Sequence, residues 1–270
     1  MSEALRPFTF EFFRNGLAAA TVAGALCGLI GVYVVLRGMS YIGHGLSHAI
    51  FGGFAASSVL GISYFLGAGV WGVATALLIG RVSKRGIGND TAIAVVTTAS
   101  FALGLALIAV FGAPARSADA ALFGNVLGVS ASDVAVIVVV TAAVTLGIVL
   151  RYRALLFTTF DPEVATVSGV NTGRVDLLLM LMLTVSVLVS MNVMGVTLVA
   201  AAIVIPAASA RLLTRSFTRM LVLATGFGGA SGFVGMVASY HLDIASGPTI
   251  VLTSAAVFAV AYAVHAVRRR

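Results

Sequence analysis

Apolar runs close to twenty residues long, broken by short polar stretches, repeat along the whole chain. About nine can be marked, near 14–36, 40–61, 63–81, 90–113, 132–151, 177–195, 196–212, 218–239 and 247–267. About 20 apolar residues at a rise of about 1.5 Å each span the hydrocarbon of a bilayer, so each run reads as a transmembrane helix. The runs are continuous and rich in Leu, Ala, Val and Gly, unlike the short alternating strands of a membrane β-barrel. The sixth and seventh are joined by almost nothing, so one of the nine can be a half-helix. The expectation is an all-α polytopic membrane protein with eight to nine transmembrane helices, forming a single transmembrane domain over residues 1–270.

Composition supports this pattern. The chain has 270 residues, 60% hydrophobic and 9% charged, whereas a soluble domain carries about 25% charged residues. The net charge of +7 does not mark a nucleic-acid partner, because basic residues of a membrane protein collect in cytoplasmic loops. Arg37, Arg81, Lys84, Arg85, Arg151, Arg153, Arg174, Arg211, Arg215, Arg219 and Arg268 to Arg270 all follow or precede alternate segments. Together they are 13 of the 16 basic residues. Nine spans then put the N-terminus outside and the C-terminus inside, with Arg6, Arg14 and Arg116 on the outer side. The one cysteine, Cys27, offers no disulfide framework.

Small residues are abundant, with 30 glycines. Gly24 with Gly28, and Gly228 with Gly232, form small-xxx-small pairs that let membrane helices approach closely. Pro206, in the seventh segment, is expected to kink or end it.

The chain has four histidines, and two of them stand in "MSYIGHGLSHAIFGG", residues 39–53. His44 and His48 are four apart, hence on one helix face, and His48 is expected near mid-depth. Polar groups at that depth face a bundle interior or a polar path. Two imidazoles at this spacing can bite one metal ion, as in H-E-x-x-H helices. They can equally bond to neighbouring helices or relay protons. On the expected outer side, His241 and Asp243 are either a solvated turn or a guide for cations at the mouth. Asp90 and Asp133 read as helix starts. Asn192 lies near the outer end of the sixth segment, and His265 beside the terminal arginines.

The longest polar break is 160–176, "FDPEVATVSGVNTGRVD", cytoplasmic by the charge pattern. Asp161 can cap a short helix, Pro162 fits its first turn and Gly169 can end it. Such a helix is either a connector or a docking element for a cytosolic partner. No G-x-x-x-x-G-K-[ST] loop occurs, and no paired catalytic carboxylates, so the chain is not expected to be an ATPase or hydrolase by itself.

Six stretches then resemble, in order, the membrane permease of bacterial ABC importers for manganese, zinc or iron. They are "GVYVVLRGMSYIGHGLSHAIFGG" (31–53), "GNDTAIAVVTTASFALGLALI" (88–108), "LFGNVLGVSASD" (122–133), "FDPEVATVSGV" (160–170), "VTLVAAAIVIPAASARLL" (196–213) and "ASGPTIVL" (245–252). The resemblance implies a multi-pass protein of the bacterial plasma membrane that works as a homodimer. Each copy would dock a separate cytosolic ABC ATPase, and an extracytoplasmic solute-binding protein would deliver the ion. It implies no permanently bound cofactor, only a transported divalent Mn, Zn or Fe ion. Residues 160–170 would be the coupling helix, with Glu163, Ala165 and Gly169 on a loose E-x-A-x-x-x-G pattern. His48 matches a family histidine of the translocation path, and His44 stands where an aspartate is common. A second imidazole in place of a carboxylate suits zinc or iron more than manganese. The rival readings are a permease for a chelate such as a siderophore or cobalamin, an ion-coupled secondary carrier, and a scaffold subunit.

Overall fold

The computed structural model describes residues 3–83, 85–87, 89–111, 124 and 126–268. Among the described residues there is no strand. A short 3-10 helix, Glu3–Thr9, leads into α1 (Glu11–Leu36), α2 (Ser40–Leu60), α3 (Tyr64–Ser83) and α4 (Asn89–Phe111). After a 3-10 turn at Val126–Gly128 come α5 (Ala131–Leu150), α6 (Tyr152–Phe160), α7 (Pro162–Val167), α8 (Thr172–Met194), α9 (Val199–Leu213), α10 (Phe217–Leu242) and α11 (Ser246–Arg268).

Seven of these are long and apolar enough to cross a membrane: α1, α3, α4, α5, α8, α10 and α11. Helix α2 has 21 residues, but its two histidines and its serines and glycines dilute its apolarity. Helix α9 has 15 residues, about 22 Å at the usual rise, which is short of a hydrocarbon core of about 30 Å. It is the half-helix among the nine segments. Residues 152–160, which follow the fifth segment, fold as the separate helix α6. Of the two outcomes expected of Pro206, a kink or an end, the end does not occur: α9 runs on to Leu213, and the ring removes the bond that the Ala202 carbonyl would accept.

Helices α1 and α8 form the centre, with most of their apolar residues buried, and the other spans turn more of their surface outward. Helix α1 lies against α10 through the two expected small-residue pairs. A Cβ on Gly24 would fall on the Gly228 carbonyl, and one on Gly28 on the Ala224 carbonyl. In lipid no hydrophobic drive gathers helices, so such backbone approach supplies the dispersion contact instead.

A second seam fixes α2. Gly45 packs on Ile93 and Thr97 of α4, and the α-carbon of Gly52 faces Gly104. The Trp71 indole N–H of α3 donates to the Ser100 hydroxyl of α4 at 2.6 Å, and that hydroxyl donates to the Ala49 carbonyl of α2 at 3.1 Å. Three helices are thus pinned together one residue from His48.

Candidate metal pathway and coupling elements

The histidine pair takes its geometry from the first turns of α2. His44 is exposed and His48 half-buried. Their Nε2 atoms lie 3.2 Å apart, with ring centroids 4.4 Å apart and planes at 79°. Two imidazole nitrogens about 2.0–2.1 Å from one ion stand about 2.9–3.4 Å apart at ligand angles between about 90° and 109°. The observed spacing falls in that range, and it is also the spacing of a direct hydrogen bond between the two rings. Phe101 of α4 packs its ring on His48, with centroids 4.8 Å apart. The other nitrogen of His48, Nδ1, is buried and has no hydrogen-bond partner among the described residues. Resident metal ligands usually fix that nitrogen with a carboxylate or carbonyl; here the ring is oriented by Phe101 and by the Nε2 contact with His44. Among the described residues no group of three or more His, Cys, Asp or Glu side chains could hold a metal ion. One chain brings two imidazoles together.

His241 and Asp243 lie at the end of α10, and both are exposed. Asp243 ends the helix in the left-handed conformation, at φ 52°, and the Ser239 hydroxyl donates to the Ile244 carbonyl at 2.6 Å to close the turn. The His241 ring packs against Tyr240. This is the geometry of a helix stop. Asp133 closes a capping box with Ser130 at the start of α5, as expected. Asp90 falls where only the backbone of α4 is described, and Lys84, Arg116, Arg269 and Arg270 lie outside the described residues. His265 Nδ1 meets the Leu212 carbonyl at the end of α9, 2.8 Å away. Cys27 is buried in α1, with its thiol against Ser190.

The polar break folds as its residues suggest. The Asp161 carboxylate accepts from the Val164 N–H at 2.9 Å, and Pro162 opens α7. Gly169, at φ 80°, closes it. The Gly169 N–H returns to the Thr166 carbonyl and the Val170 N–H to Ala165, each at 3.0 Å, which is a Schellman motif. Ala165 is buried while Glu163, Val164 and Val167 are exposed. A helix of six residues is thus held by caps at both ends and turns an apolar, acidic face outward.

Sequence reasoning missed the support beneath it. Arg37, read as one more loop charge, is 11% exposed and pairs with Asp176 of α8 at 2.6 Å. Its Nε donates to the Thr159 hydroxyl of α6 at 3.1 Å. The only available signal was its position directly before a glycine at the end of an apolar run.

Comparison with known proteins matches residues 9–265 to the ABC 3 transport family. A relative from Listeria monocytogenes, the manganese transport system membrane protein MntC, is 38% identical over 254 residues, covering 94% of this chain and 90% of the relative. A probable iron transport system membrane protein of Haemophilus influenzae is 34% identical, with 98% of each chain covered. A solved structure described as PsaBC from Streptococcus pneumoniae in complex with Fab superposes with a TM-score of 0.86 at 35% identity, covering 96% of this chain and 93% of that one.

Proposed function

The chain belongs to the ABC 3 transport family, and from that premise we propose that it carries a divalent transition-metal ion into the cytoplasm as the permease subunit of an ATP-driven importer. The observation that carries this reading is the His44/His48 pair, with nitrogens 3.2 Å apart on a helix that has no Asp, Glu, Lys or Arg. ATP hydrolysis belongs to a separate cytosolic subunit, which seats α7 through its exposed Val164 and Val167. A binding protein at the opposite end delivers the ion. Two copies of the chain face each other across the pathway, so that two half-sites combine into one set of imidazoles. His241 and Asp243 stand at the mouth where the ion enters.

Two lines of support bear on the ion. The relatives carry names that specify manganese and iron. Imidazole suits zinc and iron, and affinity at a given nitrogen site rises from manganese through iron. The pair is therefore expected to hold zinc and ferrous iron more firmly than manganese, with the delivered ion set by the binding protein. The unpartnered Nδ1 of His48 suits a transient ligand, since a ring without a fixed outer partner binds less tightly and releases its cargo.

The test is ATP-driven uptake of manganese, zinc and ferrous iron into vesicles holding the permease, its ATPase and its binding protein. His48→Ala should abolish uptake, and His44→Asp should shift preference toward manganese, because a carboxylate suits that ion. Uptake equal to wild type in both variants would remove the pair from the pathway. Uptake without any ATPase would instead favour a carrier working alone.

A further inference from the structure

Arg37 occupies the junction between the α6–α7 element and the helix that bears the histidines. It is the C-cap of α1. The Gly38 N–H returns to the Val35 carbonyl and the Met39 N–H to Val34 at 2.9 Å, with Gly38 at φ 67°. This second Schellman motif fixes the turn, and α2 begins at Ser40, about one helical turn before His44. From this fixed point the guanidinium reaches in two directions. Nε reaches Thr159 near the end of α6, two residues before Asp161 at the elbow into α7, and Nη1 reaches Asp176 in the first turns of α8.

A cation that is 11% exposed cannot be left without a partner, because burying an unpaired charge is far costlier than any single contact in the node. Movement of α6 or α8 must therefore draw the backbone at Arg37 along with it or exchange one partner for another. The node also has somewhere to go. Arginine–carboxylate pairs are commonly bidentate, yet here only Nη1 touches the carboxylate, and Nη2 is buried with no hydrogen-bond partner among the described residues. A small shift of α8 against α1 would let Nη2 take a second bond. The shifted arrangement would satisfy a group that the present one leaves open, so the node can favour one position of α8 over another, as transmission of a bias between distant sites requires. Helix α6 is also held at both ends by α10: Phe217 packs on both Tyr152 and Phe160, and Tyr152 shares a 2.9 Å hydrogen bond with Thr218.

We propose that Arg37 is the positioning residue through which motion of the α6–α7 element reaches the His44/His48 helix. The inference rests on the function proposed above and names the side chain that joins its two ends. Lysine cannot replace it, since a single ammonium does not fork to two partners in fixed directions.

The experiment uses the complete importer in proteoliposomes, with manganese, zinc and ferrous iron each offered, and reads ions moved per ATP hydrolysed beside the melting temperature of the complex. Thr159→Val keeps the shape and the Arg37–Asp176 pair but removes the acceptor on α6. Arg37→Lys keeps the charge. Tyr152→Phe removes a bond on the same helix outside the node. Both node variants should lower ions per ATP by about 5-fold or more, the lower end for a coupling free energy between sites. Their ATP hydrolysis and melting temperature should stay near wild type, and Tyr152→Phe should keep the wild-type ratio. An unchanged ratio in Thr159→Val, or an equal fall in Tyr152→Phe, overturns the inference. If Arg37→Lys fails to assemble, Thr159→Val decides alone. A wild-type complex that takes up none of the three ions overturns the proposed function, and the inference with it.

Discussion

Gly104→Ala adds one carbon to the seam that holds the histidine helix in place. Its Cβ would lie 2.6 Å from the α-carbon of Gly52 and 3.2 Å from that residue's nitrogen. Carbon atoms pack at about 3.5–4.0 Å, so α4 must retreat from α2 by about 1 Å at this level. The obstacle is backbone, and no rotamer change relieves it. Overpacking of this kind costs about 1–3 kcal/mol, and a backbone obstacle places this case near the top, about 3 kcal/mol. Replacing a helical glycine returns about 0.5–1 kcal/mol, which leaves a net loss of about 2 kcal/mol. The retreat also loosens Phe101 from His48 and the bond from Ser100 to Ala49, so uptake should fall along with stability. Gly80→Ala is the control: nothing lies within 4 Å of its added carbon, so the variant should gain the about 0.5–1 kcal/mol of better helix propensity. Thermal melts of the detergent-solubilised protein, ranked against wild type, check both. A Gly104→Ala protein that melts at or above the Gly80→Ala protein would refute the argument that this seam is closed by backbone contact.

The remaining predictions concern the coupling element and the α1–α10 crossing. Asp161→Ala removes the cap of α7 at about 1 kcal/mol, and Gly169→Ala forces a left-handed alanine at about 1–2 kcal/mol. Each should weaken retention of the ATPase subunit on an affinity column and leave the melting temperature of the isolated permease within a few degrees of wild type. Gly228→Val would drive a branched side chain into the Gly24 carbonyl and should abolish the folded monomer peak on size exclusion, whereas Gly226→Val, with open space around it, should not.

Periodicity and charge made the helical architecture legible because a membrane imposes both. Lipid demands long apolar runs, and cytoplasmic loops gather arginine. The caps of α7 were legible for a local reason, since Asp, Pro and Gly each act within one turn of chain. Helix α6 was not legible. Its sequence YRALLFTTF is nine residues long, too short for a membrane pattern and too apolar for a loop, and it exists because Leu155 and Thr158 bury against the bundle. Of the candidate site, the spacing of His44 and His48 was visible and the distance between their nitrogens was not. Phe101, which orients His48, comes from another helix, and a single sequence does not say which helices touch.

Arg37 shows the limit of a charge count most sharply. Ten or more basic residues share the same end of the bundle by helix alternation, and all obey one rule of orientation. Ordinary members of that set stay in water, where a Lys or Arg contributes little beyond its sign. Arg37 differs because the α1 C-cap turns its side chain back beneath α6 and α8, where Asp176 and Thr159 await it. Gly38 makes that turn possible, since its φ of 67° belongs to the left-handed region that favours glycine. Arg-Gly at the end of an apolar run is thus a local signal for a helix stop that also aims a cation inward. Gly38→Ala should misaim it. An added carbon at Gly38 meets nothing within 4 Å, so the penalty is conformational alone, about 1–2 kcal/mol. The expected signature is a loss of ions moved per ATP resembling that of Thr159→Val, in a protein that still assembles. A wild-type ratio in Gly38→Ala would mean that the guanidinium finds its partners without help from the turn.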